Sequence, residues 1–316
     1  MGASILGGPA LVMAAAIGFG TLGLSARRMG ELGVSALPYV TIRSLVGGLA
    51  VAAAMAALAW AGREAIPRPW LVARRERVAL LAASACGAGL NLALFAALER
   101  AAVAPVLVTF YAYPALVSLG AVRFYGEPID RRRAIALTLA SAGLLVVVLA
   151  PATGNGLSID PLGLALAALA AVCQATFSLI TGRGFPSVPA LASSGFLILS
   201  AGVVFLFLTV VAGQLDGLGA SLVEPAWPWL FMAAIVGAAL PTTALVDGIR
   251  RIGPARAAIL MMLEPVVGVA LAALLLGERP SLIQVAGAAA VIASGAILQR
   301  PSAYRAPAVT SAGGGG

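Results

Sequence analysis

A chain of 316 residues that is 61% hydrophobic and only 10% charged, with mean hydropathy +1.03, departs far from the roughly 25% charged composition of soluble domains. Its expected solvent is a lipid bilayer. The net charge of +8 rests on arginines scattered over short segments, with no lysine and no recognition motif, which excludes nucleic acid as the expected partner.

Apolar stretches long enough to cross a hydrocarbon core of about 30 Å fall at 6–26, 37–60, 78–98, 101–123, 133–150, 161–182, 190–212, 228–249, 254–276 and 281–299. The first lacks a basic leader and runs on as a span, so a cleaved signal peptide is not expected. Segment 61–77 is the longest loop on one side, and 150–160 and 213–227 are the longer ones on the other. None has the length of a soluble domain. Residues 300–316, ending in four glycines, read as a disordered tail. The expected fold is an all-α integral membrane protein with ten transmembrane helices.

The ten spans are two copies of five. Tyr113-Pro114 and Gly126-Glu127 return as Glu264-Pro265 and Gly277-Glu278 at a constant separation of 151 residues, as do Arg100 with Arg251 and Ala104 with Ala255. Gly143 answers Gly295 at 152. A period this long marks duplication of a multi-helix unit rather than a solenoid, with units expected at 1–157 and 158–299. Five is odd, so the second copy enters the membrane from the opposite side: the repeat is inverted. With the N-terminus inside, fifteen loop and tail arginines lie inside and four (Arg27, Arg28, Arg100 and Arg279) outside. The positive-inside rule then puts both termini in the cytoplasm.

The stretch Leu263-Glu264-Pro265-Val266-Val267, then Leu274 to Glu278, then Gln284 to Gly287 resembles the second repeat of EamA-type transporters of the drug/metabolite transporter superfamily. Tyr113-Pro114 through Gly126-Glu127 is its first-repeat partner, and Arg43 stands where that family commonly has an arginine. The likeness extends over residues 6–299. It implies a ten-helix carrier of the prokaryotic inner (cytoplasmic) membrane, working by alternating access on a small polar metabolite such as an amino acid or related compound. A lipid-intermediate flippase on the same scaffold is the alternative within transport; a membrane enzyme or non-transporting scaffold is the alternative outside it.

Ionisable groups inside a span cost several kcal/mol on most scales, so each needs a reason. Glu264 is the eleventh residue of its span and lies near the midplane, with Tyr113 as its repeat equivalent. It either carries a proton or a cationic substrate group, or fixes helix packing beside Pro265. Arg43 lies roughly 9 Å inside the outer end of its span, where it binds a substrate anion, pairs with Glu264, or snorkels. Asn91 and its equivalent Thr242 place polar side chains at matching depths, and Gln174 adds one in the sixth span. Asp247 is expected to pair with Arg250 or Arg251, and the repeated Gly-Glu pairs to shape loops. The fifth and tenth spans have few polar residues and are expected at the periphery, facing lipid or a partner subunit, so a homodimer is a candidate assembly. There is no histidine, the two cysteines (Cys86 and Cys173) stand apart, and no Walker loop is present. Hence no metal, cofactor, enzymatic activity or ATP-driven transport is expected of this chain.

Overall fold

The computed structural model describes residues 7–62, 72–150, 160–222, 224–277 and 279–298. The expected tail at 300–316 and Glu278 lie outside the described residues. Helices account for the described chain. They are α1 (Gly8–Glu31), α2 (Ala36–Trp60), α3 (Arg74–Arg100), α4 (Val103–Phe110), α5 (Tyr113–Tyr125), α6 (Arg131–Leu149), α7 (Pro161–Arg183) and α8 (Ala190–Val211), followed by a short α9 (Asp216–Ala220). Then come α10 (Trp227–Phe231), a π-helical segment Met232–Ala239, α11 (Leu240–Ile252), α12 (Pro254–Met261), α13 (Leu263–Leu276) and α14 (Leu282–Leu298). Joined across their breaks, nine stretches among the described residues are long and apolar enough to span a membrane, with the shorter α14 as the tenth. Large apolar side chains such as Leu282 (87%) and Leu274 (79%) stand exposed, as lipid-facing positions should.

Local chemistry explains where helices stop. Gly126 and Gly277, equivalent in the two repeats, cap α5 and α13 with φ of +64° and +70°. That left-handed conformation favours glycine, so the glycine of each Gly-Glu pair is a helix terminator. Asp130 accepts from the Arg133 backbone N–H at 2.7 Å to start α6, and Ser281 and Gln284 bond reciprocally as a capping box at the start of α14. The first helix runs five residues beyond its expected end because Arg27 and Arg28 pair with Glu31 one turn on.

Packing carries the two-fold relation between repeats. The second and seventh spans, α2 and α8, are equivalents that pack along their length. Gly48 meets Leu199, Thr41 bonds Thr209 at 2.8 Å, and Ser35 bonds Gln214: as residue numbers rise on one helix they fall on the other, so equivalent helices run antiparallel. The fifth and tenth spans, α6 and α14, pair the same way, chiefly with each other. A Cβ added to Gly143 or Gly287 would stand 2.6 Å from the other glycine's carbonyl oxygen, and such close backbone approach replaces hydrophobic burial as the cause of association in lipid. Likewise α3 packs on α7 as α11 packs on α1. Gly163 abuts Ala101 as Gly8 abuts Ile252. The repeated Gly143 and Gly295 do not share a role, since Gly295 meets only Leu260 at an ordinary 3.5 Å.

Candidate functional site

Both repeats break the same helix at the same place. The fourth span stops at Phe110 and resumes at Tyr113; the ninth stops at Met261 and resumes at Leu263. Proline is the cause, because Pro114 and Pro265 cannot donate to the carbonyls of Phe110 and Met261 four residues earlier. The chain turns instead through Ala112 N–H to Thr109 O and Met262 N–H to Ile259 O. Tyr113 and Glu264 therefore both sit in the first turn of a half-helix. In that first turn the free N–H groups favour a negative side chain.

Glu264 gathers aromatic company. Tyr111 and Tyr113 lie within electrostatic reach of it, and their rings pack against Phe110, edge-on at a centroid separation of 5.1 Å for Tyr111 and tilted at 5.4 Å for Tyr113. Tyr113 is buried, while Glu264 keeps partial exposure at midspan. Tyr111 was absent from the expected site; its position just before the Pro114 break is the signal that could have found it. Behind Glu264, α1 presents Gly20, where an added Cβ would lie 3.1 Å from the Glu264 carbonyl oxygen. Gly18, half a turn away, abuts Pro241. Hence Glu264 and Thr242, the residue after Pro241, flank α1 at one depth. Pro241 stands two residues past the end of the π segment, and π-helical turns of this kind recur at functional sites. The first repeat has no proline at the equivalent Leu90, and α3 is continuous there.

Asn91 and Gln174 come to a common depth on the adjacent helices α3 and α7, where Gly89 abuts Cys173. Both are half-buried. Asn91 donates to the Gly87 carbonyl at 2.9 Å, and Gln174 and Thr242 form no side-chain hydrogen bond among the described residues. Arg43 is not brought to Glu264: no ion pair joins them. One turn deeper on α2, Gly47 meets the Ala234 carbonyl, which places Arg43 roughly 16 Å along the bundle from the level of Thr242.

Charged groups at the ends of the spans are structural. Arg251 pairs with Asp247 at 2.7 Å. Its neighbour Arg250 instead donates to the Val188 and Phe185 carbonyls at 2.7 and 3.2 Å and lies over the Phe185 ring, tying α11 to the turn between α7 and α8. The same turn is held by Glu76, which accepts from the Ser187 N–H at 3.2 Å. Glu127 pairs with Arg133 at 3.0 Å, both nearly buried.

The two ends of the bundle differ in closure. On the face where the chain's first span begins and its last ends, α12 is buried from Pro254 through Met261. It packs on α1, α5, α6, α7, α11 and α14. Gly182 wedges against Tyr125 and Pro254 there, and the Tyr125 hydroxyl bonds the Leu179 carbonyl. The repeat equivalent of α12 is α4, on the opposite face. Only Val106 and Phe110 of α4 are buried, Val103 is 58% exposed, and its substantial contacts among described residues are with α3, α6 and α7. Among the described residues α4 makes no substantial contact with α13 that would mirror α12 on α5. At one end of the bundle α12 is enclosed, and at the other its equivalent α4 is only partly buried.

Comparison with known proteins agrees with this architecture. One solved structure, named "Crystal structure of protein", aligns with a TM-score of 0.75 over 92% of this chain and 96% of its own, at 21% identity. That likeness shows the fold. No curated protein matches the chain. The profile of the EamA-like transporter family matches residues 6–149 and again 161–299, one match for each five-helix repeat. With two matches covering nearly the whole chain, this multi-pass membrane protein belongs to the EamA-like transporter family.

Proposed function

We propose that the protein is a secondary transporter that moves a small polar metabolite, such as an amino acid or a related compound, across the inner (cytoplasmic) membrane by alternating access. The single observation that carries this reading is the unequal closure of α12 and α4. Two equivalent half-helices, each hinged at a proline break beside Tyr113 or Glu264, stand in different packings, and exchanging those packings would transfer the opening from one face to the other. Both termini are assigned to the cytoplasm from the arginine bias, which makes the present form outward-open. Glu264 is the proton or cation carrier in this reading, Tyr111 and Tyr113 its neighbours, and Asn91, Gln174 and Thr242 the polar wall. The test compares metabolites inside and outside cells with and without the protein, then measures counterflow of the affected compounds in proteoliposomes. Counterflow of a soluble metabolite is the expected result, and its absence for every compound that changes would end this reading.

One feature favours the flippase alternative. A crevice of about 110 Å³ between α1, α12, α13 and α14 is lined by Met13, Ile259, Leu263, Val291 and Ile292, among others, and Ile292 is 56% exposed at its edge. None of its lining residues has a polar side chain to offer a headgroup, so the metabolite reading is preferred. A fluorescent phospholipid scrambled in the same proteoliposomes would reverse that preference.

A further inference from the structure

Arg43 is an unsolved charge. It is 8% exposed, and no hydrogen bond or ion pair joins it to a described residue. Its Nε is sealed without an acceptor. The guanidinium lies 5.6 Å from the centre of the Tyr39 ring one turn away. The Tyr39 hydroxyl is held by Ser25 Oγ at 2.6 Å, so the ring is a fixed platform. The flanking Tyr39, Val40 and Ser44 are all buried, whereas α2 turns Leu49 and Trp60 to lipid at 61% and 94% exposure. Arg43 thus faces the protein interior, in the half of the bundle that is not sealed.

A guanidinium cannot shed its proton, and leaving one uncompensated in low dielectric is costly. Three compensations were open to it. Snorkelling would leave the side chain exposed at the end of its span, and Arg43 is 8% exposed. Among the described residues no internal partner is made: Glu264 is at a different depth, and Glu31 is occupied by Arg27 and Arg28. What remains is an anion from outside the chain. Resting on the transporter reading above, we infer that Arg43 is an oxyanion subsite separate from Glu264, which takes a carboxylate or phosphate group through its paired N–H donors. Guanidinium geometry matches two oxygens of such a group.

The experiment uses purified full-length protein in nanodiscs of phosphatidylcholine alone, at constant ionic strength set with chloride. Its thermal unfolding midpoint is followed against inorganic phosphate and against acetate, and in parallel discs containing phosphatidylglycerol. Saturable stabilisation by either soluble anion is expected in the wild type and in Glu264→Gln. Half-saturation should move about tenfold higher in Arg43→Lys, which keeps the charge and loses the fork, and the response should vanish in Arg43→Gln. Stabilisation by phosphatidylglycerol alone, lost in Arg43→Gln, keeps the oxyanion site and gives it to a lipid headgroup. No response to any of the three, or an unchanged response in Arg43→Gln, overturns the inference; should that variant not accumulate, an unchanged half-saturation in Arg43→Lys does the same. The readout requires no transport, so its failure leaves the carrier reading standing, and a failed counterflow assay leaves this site standing.

Discussion

Among single residues, Glu264 has the most to answer for. A coupling group must be neutral in one access state and charged in another, and a carboxylate at a proline break, between a sealed and an open half, is placed for that exchange. Glu264→Gln preserves size and hydrogen bonding but cannot ionise. Membrane yield should be unchanged and net transport lost. Comparing uphill transport with exchange in proteoliposomes separates the roles: exchange surviving alone indicates coupling, and loss of both with weakened binding indicates a substrate contact. Normal transport across a range of pH would make Glu264 structural. Arg250 teaches the converse lesson, for there the Phe185 and Val188 carbonyls, the Ser193 hydroxyl and the Phe185 ring compensate a partly buried cation.

At the level of helices, small residues decide which pairs can form. The α6–α14 pair depends on Gly143 facing Gly287, where any side chain meets backbone that cannot yield. Gly287→Leu, or the same change at Gly143, should separate the two helices and cost about 1–3 kcal/mol or more. It would be seen as a lower unfolding midpoint in detergent and poorer membrane yield. Gly295→Ala is the control, because its Cβ would meet Leu260 at ordinary contact distance. Equal losses at Gly287 and Gly295 would remove this crossing as the reason for the pairing.

For the molecule as a whole, the inverted repeat makes the second access state a calculation. Tyr125 and Pro254 flank Gly182 at the sealed face; a shift of 151 residues maps Pro254 onto Val103 and Tyr125 to within one residue of Leu275. A cysteine pair at Val103 and Leu275, in a background lacking Cys86 and Cys173, should therefore be bridged by a short bismaleimide only in molecules whose α12 seal has opened. Bridging should abolish transport and expose a cysteine placed at Ala257, now 1% exposed, to water-soluble reagents. If bridging leaves Ala257 protected, the two faces do not exchange packings. Orientation is tested separately. Reporter fusions after residue 300 should behave as cytoplasmic and fusions within 213–227 as external, and an external C-terminus would reverse the sidedness assigned here.

Much of the architecture was legible in the chain because lipid imposes a simple rule: every backbone polar group must be satisfied within its own helix, so apolar length alone marks the spans. The repeated proline marked the two breaks for an equally local reason, a missing donor. The repeated Gly-Glu pairs marked two helix ends. What only the tertiary structure decided depends on which helices touch. The sequence could place Arg43, Glu264, Asn91, Gln174 and Thr242 at depths but not on faces, and Arg43 and Glu264 proved to be apart. Tyr111 entered the site only through its neighbours, and of the two arginines open to Asp247 only packing selected Arg251 and left Arg250 to the Val188 and Phe185 carbonyls. Above all, two repeats alike in sequence took unlike packings, with α12 enclosed and α4 half-exposed. A duplicated sequence specifies both packings about equally, and only contact between the halves selects which of them is occupied.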